Sequence, residues 1–160
     1  MPIIVSDNSP LNLLIRVGQS DILPALFGTV IIPKEVAAEM AHPKAPDLVR
    51  QFVAAVPDWL VVQSPTKLLD FPTLDAGKSA AIALALELNA PLMIDEHEGR
   101  TIARSRGLVV IGAIGILERA ANQGLIDNLS AVYDTIRTLR FHIADNILDE
   151  SLLRHSQFRA

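Results

Sequence analysis

Two apolar runs, far apart in the chain, end in the same way. Ile3-Ile4-Val5 leads through Ser6 to Asp7, and Asn8-Ser9-Pro10 then opens an apolar-periodic stretch. Leu92-Met93-Ile94 leads directly into Asp95-Glu96, again ahead of a helical pattern. Short aliphatic runs without polar alternation read as strands buried on both faces, the kind found in parallel sheets covered by helices. In open sheets of that kind, ligands bind outside the carboxyl ends of the strands. A carboxylate at each of two such ends makes a candidate site for a hard divalent cation.

The rest of the chain alternates in the same sense. Ser9-Pro10 reads as a helix start, with Ser9 as cap and Pro10 in the first turn, and Gly18 ends that helix. Thr29-Val30-Ile31-Ile32 is a second expected strand, and Pro33 opens a helix that carries Glu39 and is broken at Pro43 and Pro46. Asp47 to Val56 is expected to be helical, Leu60-Val61-Val62 a strand and Pro65 to Thr73 a loop. Asp75 to Leu88 is apolar nearly all round, as in a helix buried on most sides. Beyond strand Leu92 to Ile94 come a polar helix, Glu96 to Arg106, and a fifth strand, Leu108 to Ile111. Helices near Ile114 to Asn122, Leu129 to Leu139 and Ala144 to Arg154 complete the pattern. Strands alternating with helices imply an α/β fold with a mostly parallel five-stranded sheet, and 160 residues suit one domain over 1–160.

Half of the residues are hydrophobic and the mean hydropathy is +0.34, high for a chain without any run near a membrane span. A fully buried sheet explains this equally as well as an apolar homodimer face, for which the helix Asp47 to Val56 and the region of Ile114 are candidates. The absence of cysteine excludes disulfides, thiolate zinc sites and a cysteine nucleophile, and suits a cytoplasmic protein. A net charge of −4 argues against a protein that coats nucleic acid through overall basicity. Any such contact needs a local patch, for example Arg100, Arg104 and Arg106, or a bound metal.

Asp7, Glu39 and Asp95 come from three separate elements and form the candidate constellation. Each has a plainer reading: Asp7 and Asp95 as helix caps, Glu39 as an exposed helix residue. Ser9 competes with Asp7 for the cap, Glu96 stands beside Asp95, and Glu39 lies among Val36, Ala37, Ala38 and Met40, which suggests a mainly buried helix. Buried carboxylates need a partner or a metal. Gly112-Ala113-Ile114-Gly115 lacks the G-x-G-x-x-G spacing and reads as tight strand–helix packing. No phosphate loop, nucleophile elbow or paired histidine ligands are present.

The residues also carry a family resemblance. Val5-Ser6-Asp7-Asn8-Ser9-Pro10-Leu11, then Ile32-Pro33-x-x-Val36-x-x-Glu39, then the stretch from Asp95-Glu96-x-x-Gly99-Arg100 through Ala103, Gly107, Leu108 and Gly112 to Gly115-Ile116-Leu117 resemble the motifs of the PIN-domain branch DUF3368. Leu139-Arg140-Phe141-His142-Ile143 and the residues up to Leu153 resemble its tail. This branch is similar to the toxin ribonucleases of toxin–antitoxin pairs. The resemblance implies a three-layer α/β/α sandwich and a Mg²⁺- or Mn²⁺-dependent endoribonuclease, with RNA as substrate and a small antitoxin as partner. It implies Asp7, Glu39 and Asp95 as catalytic, metal-binding acids and Glu96 as an auxiliary one; Asn8, Ser9 and Arg100 are candidate substrate contacts.

One departure stands out. After Leu74-Asp75-x-Gly77 the family carries glutamates where this chain has Lys78 and Ala80. Asp75 shares a helix face with Lys78 and is either a substitute ligand or only the cap. The Lys78 ammonium is expected to point into the acidic cleft; the competing expectation is that it snorkels to solvent. Three functional readings follow: an active metal-dependent ribonuclease, a catalytically weakened PIN-fold binding module, or another metal-dependent phosphotransfer enzyme. The absence of a D-x-D nucleophile motif at Asp7 disfavours the third.

Overall fold

A computed structural model describes residues 2–159. Their contacts gather into two compact units, Met1–Ile111 and Gly112–Ala160. The first contains the sheet. Strands β1 (Ile3–Ser6), β2 (Thr29–Ile32), β3 (Leu60–Val62), β4 (Leu92–Met93) and β5 (Val110–Ile111) form an all-parallel five-stranded sheet in the order β3-β2-β1-β4-β5. The helices of this unit are α1 (Asn8–Arg16), α2 (Ile22–Phe27), α3 (Lys34–Ala41), α4 (Asp47–Ala54), α5 (Ala76–Leu88) and α6 (His97–Ser105).

Successive strand residues point to opposite faces, and in the central strands β2, β1 and β4 both sets are buried, whereas Val61 and Val62 of the edge strand β3 are exposed. Val5, Ile31, Leu92 and Ile94 pack with Ala81, Ile82, Leu84 and Ala85 of α5 and Ala103 of α6. Their neighbours Ile4, Val30, Ile32 and Met93 are fully buried as well. The chain leaves β1 toward β2 and β3, then reverses toward β4 and β5. Right-handed crossovers therefore place the helices of the two halves on opposite faces, which gives three layers. Eight of the thirteen residues of α5 are buried, as its all-round apolar sequence requires.

Several expectations are corrected. Helix α1 begins at Asn8, so Asp7, not Ser9, holds the cap position, and its side chain makes no cap hydrogen bond. Ser9 is exposed within the first turn. Only Val36 and Met40 are buried on α3, so Glu39 rides a half-exposed helix. The six-residue α2 lies in a stretch without a helical signal long enough to read, and the last helix runs to Arg159 rather than Arg154.

The second unit holds α7 (Ala113–Asn122), α8 (Leu129–Thr138) and α9 (Asp145–Arg159). A polar chain crosses it: Tyr133 Oη and Ser151 Oγ are 2.6 Å apart, Ser151 Oγ donates to Glu118 Oε1 at 2.8 Å, and Arg154 Nη2 reaches the same oxygen at 2.9 Å. Burial pushes the Tyr133 phenol up to about 12, so it stays a neutral donor. Removing the middle of such a chain strands its neighbours. Ser151→Ala is expected to destabilise the protein by about 1–3 kcal/mol. The Ser151→Ala, Tyr133→Phe double variant should recover part of that loss, as measured by urea unfolding. No described helix is long and apolar enough to cross a membrane.

Candidate active site at the switch point of the sheet

The chain reverses direction between β1 and β4, which are hydrogen-bonded neighbours pairing Ser6 with Met93. The adjoining strand ends form a crevice where ligands bind in open parallel sheets. Asp7 is the first residue beyond β1, and its amide donates to Met93 O at 3.0 Å. Asp95 lies just beyond β4, at the same edge because the two strands run parallel.

The Asp7 side chain is 1% exposed, and neither carboxylate oxygen has a hydrogen-bond partner among the described residues. Burial is the main reason its pKa is raised to about 6; Lys78 opposes it most, the nearby Asn8 backbone amide opposes it too although it makes no well-formed hydrogen bond, and the charges of Glu39 and Asp75 add to the rise. Glu39 comes from α3. Asn8 Nδ2 donates to its Oε2 at 3.3 Å, while Asn8 Oδ1 is buried and unpartnered. Burial first, then Asp75, hold Glu39 above the ordinary carboxylate range.

Asp75 caps α5, with Oδ1 accepting the Lys78 amide at 2.9 Å. Its Oδ2 meets Lys78 Nζ at 3.1 Å, and the same ammonium lies 3.9 Å from Asp7 Oδ2. Burial pushes Asp75 up, but the bonds from Lys78 outweigh it and hold the carboxyl below its ordinary value. Lys78 behaves conversely: burial pulls it down, and Asp7, Asp75 and Glu39 together keep it above its ordinary value.

The structure thus brings Asp7, Glu39 and Asp75 together around Lys78, whose side chain is only 20% exposed and does not snorkel away. Asp95 is placed differently. It is exposed at the neighbouring strand end, and its charge acts on Arg100, whose Nη1 donates to Ile94 O at 2.8 Å. Glu96 caps α6, accepting the amides of Glu98 and Gly99 at 3.2 and 2.6 Å, so its carboxylate is already occupied. Among the described residues, no three acid or histidine side chains converge tightly enough to grip an ion as they stand. The donor chemistry nevertheless fits a hard cation: Asp7 has two buried oxygens without hydrogen-bond partners, and Asn8 Oδ1 is a third.

Gly77 was not readable as a site residue. A Cβ built there would overlap Glu39 Oε1 and sit 3.0 Å from Glu39 Cδ. Its signal lay in the composition of α5. Glycine costs roughly 1 kcal/mol against alanine in a helix, so its presence in the first turn of an Ala-rich helix asks for a packing reason.

A parallel α/β sheet with acids gathered at its switch point is the architecture of a PIN-like domain. A PIN-domain family model, DUF3368, matches residues 3–157, and the chain belongs to that family. PIN domains are generally nucleases. No curated relative matches the chain. Among solved structures it is similar to a PilT N-terminus domain protein from the hyperthermophilic archaeon Sulfolobus solfataricus P2. That match has a TM-score of 0.53 at 16% identity and covers 75% of this chain and 93% of that one. At that identity the likeness speaks for the fold.

Proposed function

We propose that this chain, as a single PIN-like domain, is a divalent-metal-dependent endoribonuclease and the toxin of a toxin–antitoxin pair. The observation that carries the reading is the Asp7 carboxylate, buried without a hydrogen-bond partner at the switch point of the sheet. Keeping such a group out of water is costly unless a cation uses it.

Asp7, Glu39 and Asp95 would hold the ion, with Asp75 as a further carboxylate at the cluster. Oxygen donors of this kind suit Mg²⁺ or Mn²⁺ rather than zinc. The bound ion would supply Lewis acidity at a phosphodiester and offset the negative charge of the acids. Asn8 fixes the Glu39 carboxylate through its amide. Arg100, held by the Ile94 carbonyl, offers a guanidinium for a backbone phosphate beside Asp95. Ser9 is exposed on the first turn of α1, where a hydroxyl can contact the same backbone. An apolar homodimer face on α4, where Leu48 is exposed, belongs to the same reading. A cytoplasmic location and a small antitoxin belong to the same reading.

The placement of Lys78 favours one second reading, a weakened PIN-fold module that binds RNA but cuts it slowly or not at all. One assay separates them. RNA is incubated with wild type and Asp7→Asn in Mg²⁺, in Mn²⁺ and in EDTA. The nuclease reading expects metal-dependent cleavage that Asp7→Asn lowers at least about 100-fold. RNA binding without Asp7-dependent cleavage would support the weakened module instead.

A further inference from the structure

Lys78 stands inside the carboxylate cluster rather than beside it. Its backbone amide donates to Asp75 Oδ1 and its ammonium to Asp75 Oδ2, so one carboxylate fixes both ends of the residue. The ammonium lies 3.9 Å from Asp7 Oδ2, close enough for attraction but too far to satisfy that oxygen by a hydrogen bond. It also feels the charge of Glu39. A lysine on an exposed helix face would extend its four-carbon stem toward water; this one is largely covered.

The charges in the cluster are easily counted. Asp7, Glu39 and Asp75 bring three negative charges when ionised, and Lys78 cancels one of them. Two remain among the acids that face the ammonium, enough to balance one divalent ion, while Asp95 stands apart at the neighbouring strand end. An acid at position 78 would instead leave four, the charge of two such ions. We propose that Lys78 is the resident cation of this site: its ammonium fills one cation position, so the cluster takes up one divalent ion and not two. The proposal rests on the metal-dependent reading above and adds the number of ions and the group that sets it.

The test is equilibrium binding of Mn²⁺ alone to the metal-free full chain, with free Mn²⁺ counted by its EPR signal. Wild type, Lys78→Met, Lys78→Glu and Asp7→Asn are compared, and melting curves establish that each variant is folded. Wild type should bind one ion, and Asp7→Asn should lose it. Lys78→Met removes the charge but keeps the stem, and should tighten binding by about tenfold or more. Lys78→Glu should take up a second ion. If Lys78→Glu fails to fold, the tightening in Lys78→Met decides alone. Two ions on wild type, or the same affinity in Lys78→Met as in wild type, would overturn the inference while leaving the metal-dependent reading standing. If none of the Lys78 variants or wild type binds Mn²⁺ in an Asp7-dependent way, the metal-dependent reading itself fails, and the inference with it.

Discussion

Without metal and at about pH 7.5, Asp7→Asn is expected to be more stable than wild type by about 2 kcal/mol, while losing the proposed nuclease activity. Burial of Asp7 without a hydrogen bond lifts its pKa from the ordinary 3.8 to about 6. That rise corresponds to about 3 kcal/mol of penalty on the ionised form, and the new amide, whose donors also need partners, gives back part of the gain. The sign follows from linkage. The folded-state pKa lies above the unfolded one, so the favourable contribution is complete below about pH 4 and is lost as pH rises through about 6. Wild-type stability should therefore decline relative to Asp7→Asn across that window, and the two should converge near its acid end. Thermal melts in EDTA from about pH 4 to 8 measure this directly. Added Mn²⁺ should reverse the order, because only wild type gains binding energy, about 2.7 kcal/mol at a hundred times Kd. A less stable Asp7→Asn at neutral pH would show that the Asp7 carboxylate is satisfied in the folded protein without a divalent cation.

Gly77→Ala is expected to separate folding from function in the opposite manner. The added Cβ meets the end of the Glu39 side chain, a group that can rotate away. Alanine is the better helix former, so melting temperature should hold or rise. The Glu39 carboxylate, however, must leave the position where Asn8 holds it. Misplacing a functional group by about 1 Å can cost on the order of 100-fold in rate, and a loss of that size is expected in RNA cleavage, with weaker Mn²⁺ binding. The reading of Glu39 would be falsified if Gly77→Ala kept both properties.

Much of the fold was legible because few arrangements suit its apolar runs. Ile3-Ile4-Val5, Thr29 to Ile32 and Leu92 to Ile94 are short, largely β-branched or aliphatic runs bounded by turn residues and helical patterns, which favours buried strands, and the surrounding helices are amphipathic or wholly apolar. Helix α2 was not legible, since six residues give no periodicity to read. The candidate acids stand out in the sequence, but their arrangement in space does not. Asp75 and Glu96 both look like ligands in one dimension, yet both carboxylates accept helix amides. Local hydrogen bonding of this sort competes with any long-range role and depends on where each helix begins. The Ser9 cap failed for the same reason, because the helix starts one residue ahead of it. The family pattern marked Lys78 as unusual, but its place among Asp7, Glu39 and Asp75 depends on how α5 meets β1 and α3, and no local spacing encodes that.

The position of β1 in the middle of the sheet also governs when the site can come into being. One side of β1 pairs with β2, made soon afterwards, but the other pairs with β4, roughly ninety residues later in the chain. Until β4 is synthesised, the Asp7 amide lacks the Met93 carbonyl that accepts it, and α5, which carries Lys78, has only part of the surface on which it packs. A nascent chain therefore passes through most of its translation without an assembled cleft. Closing it is a long-range event, and the order of synthesis itself delays the proposed chemistry until more than half of the chain has been made.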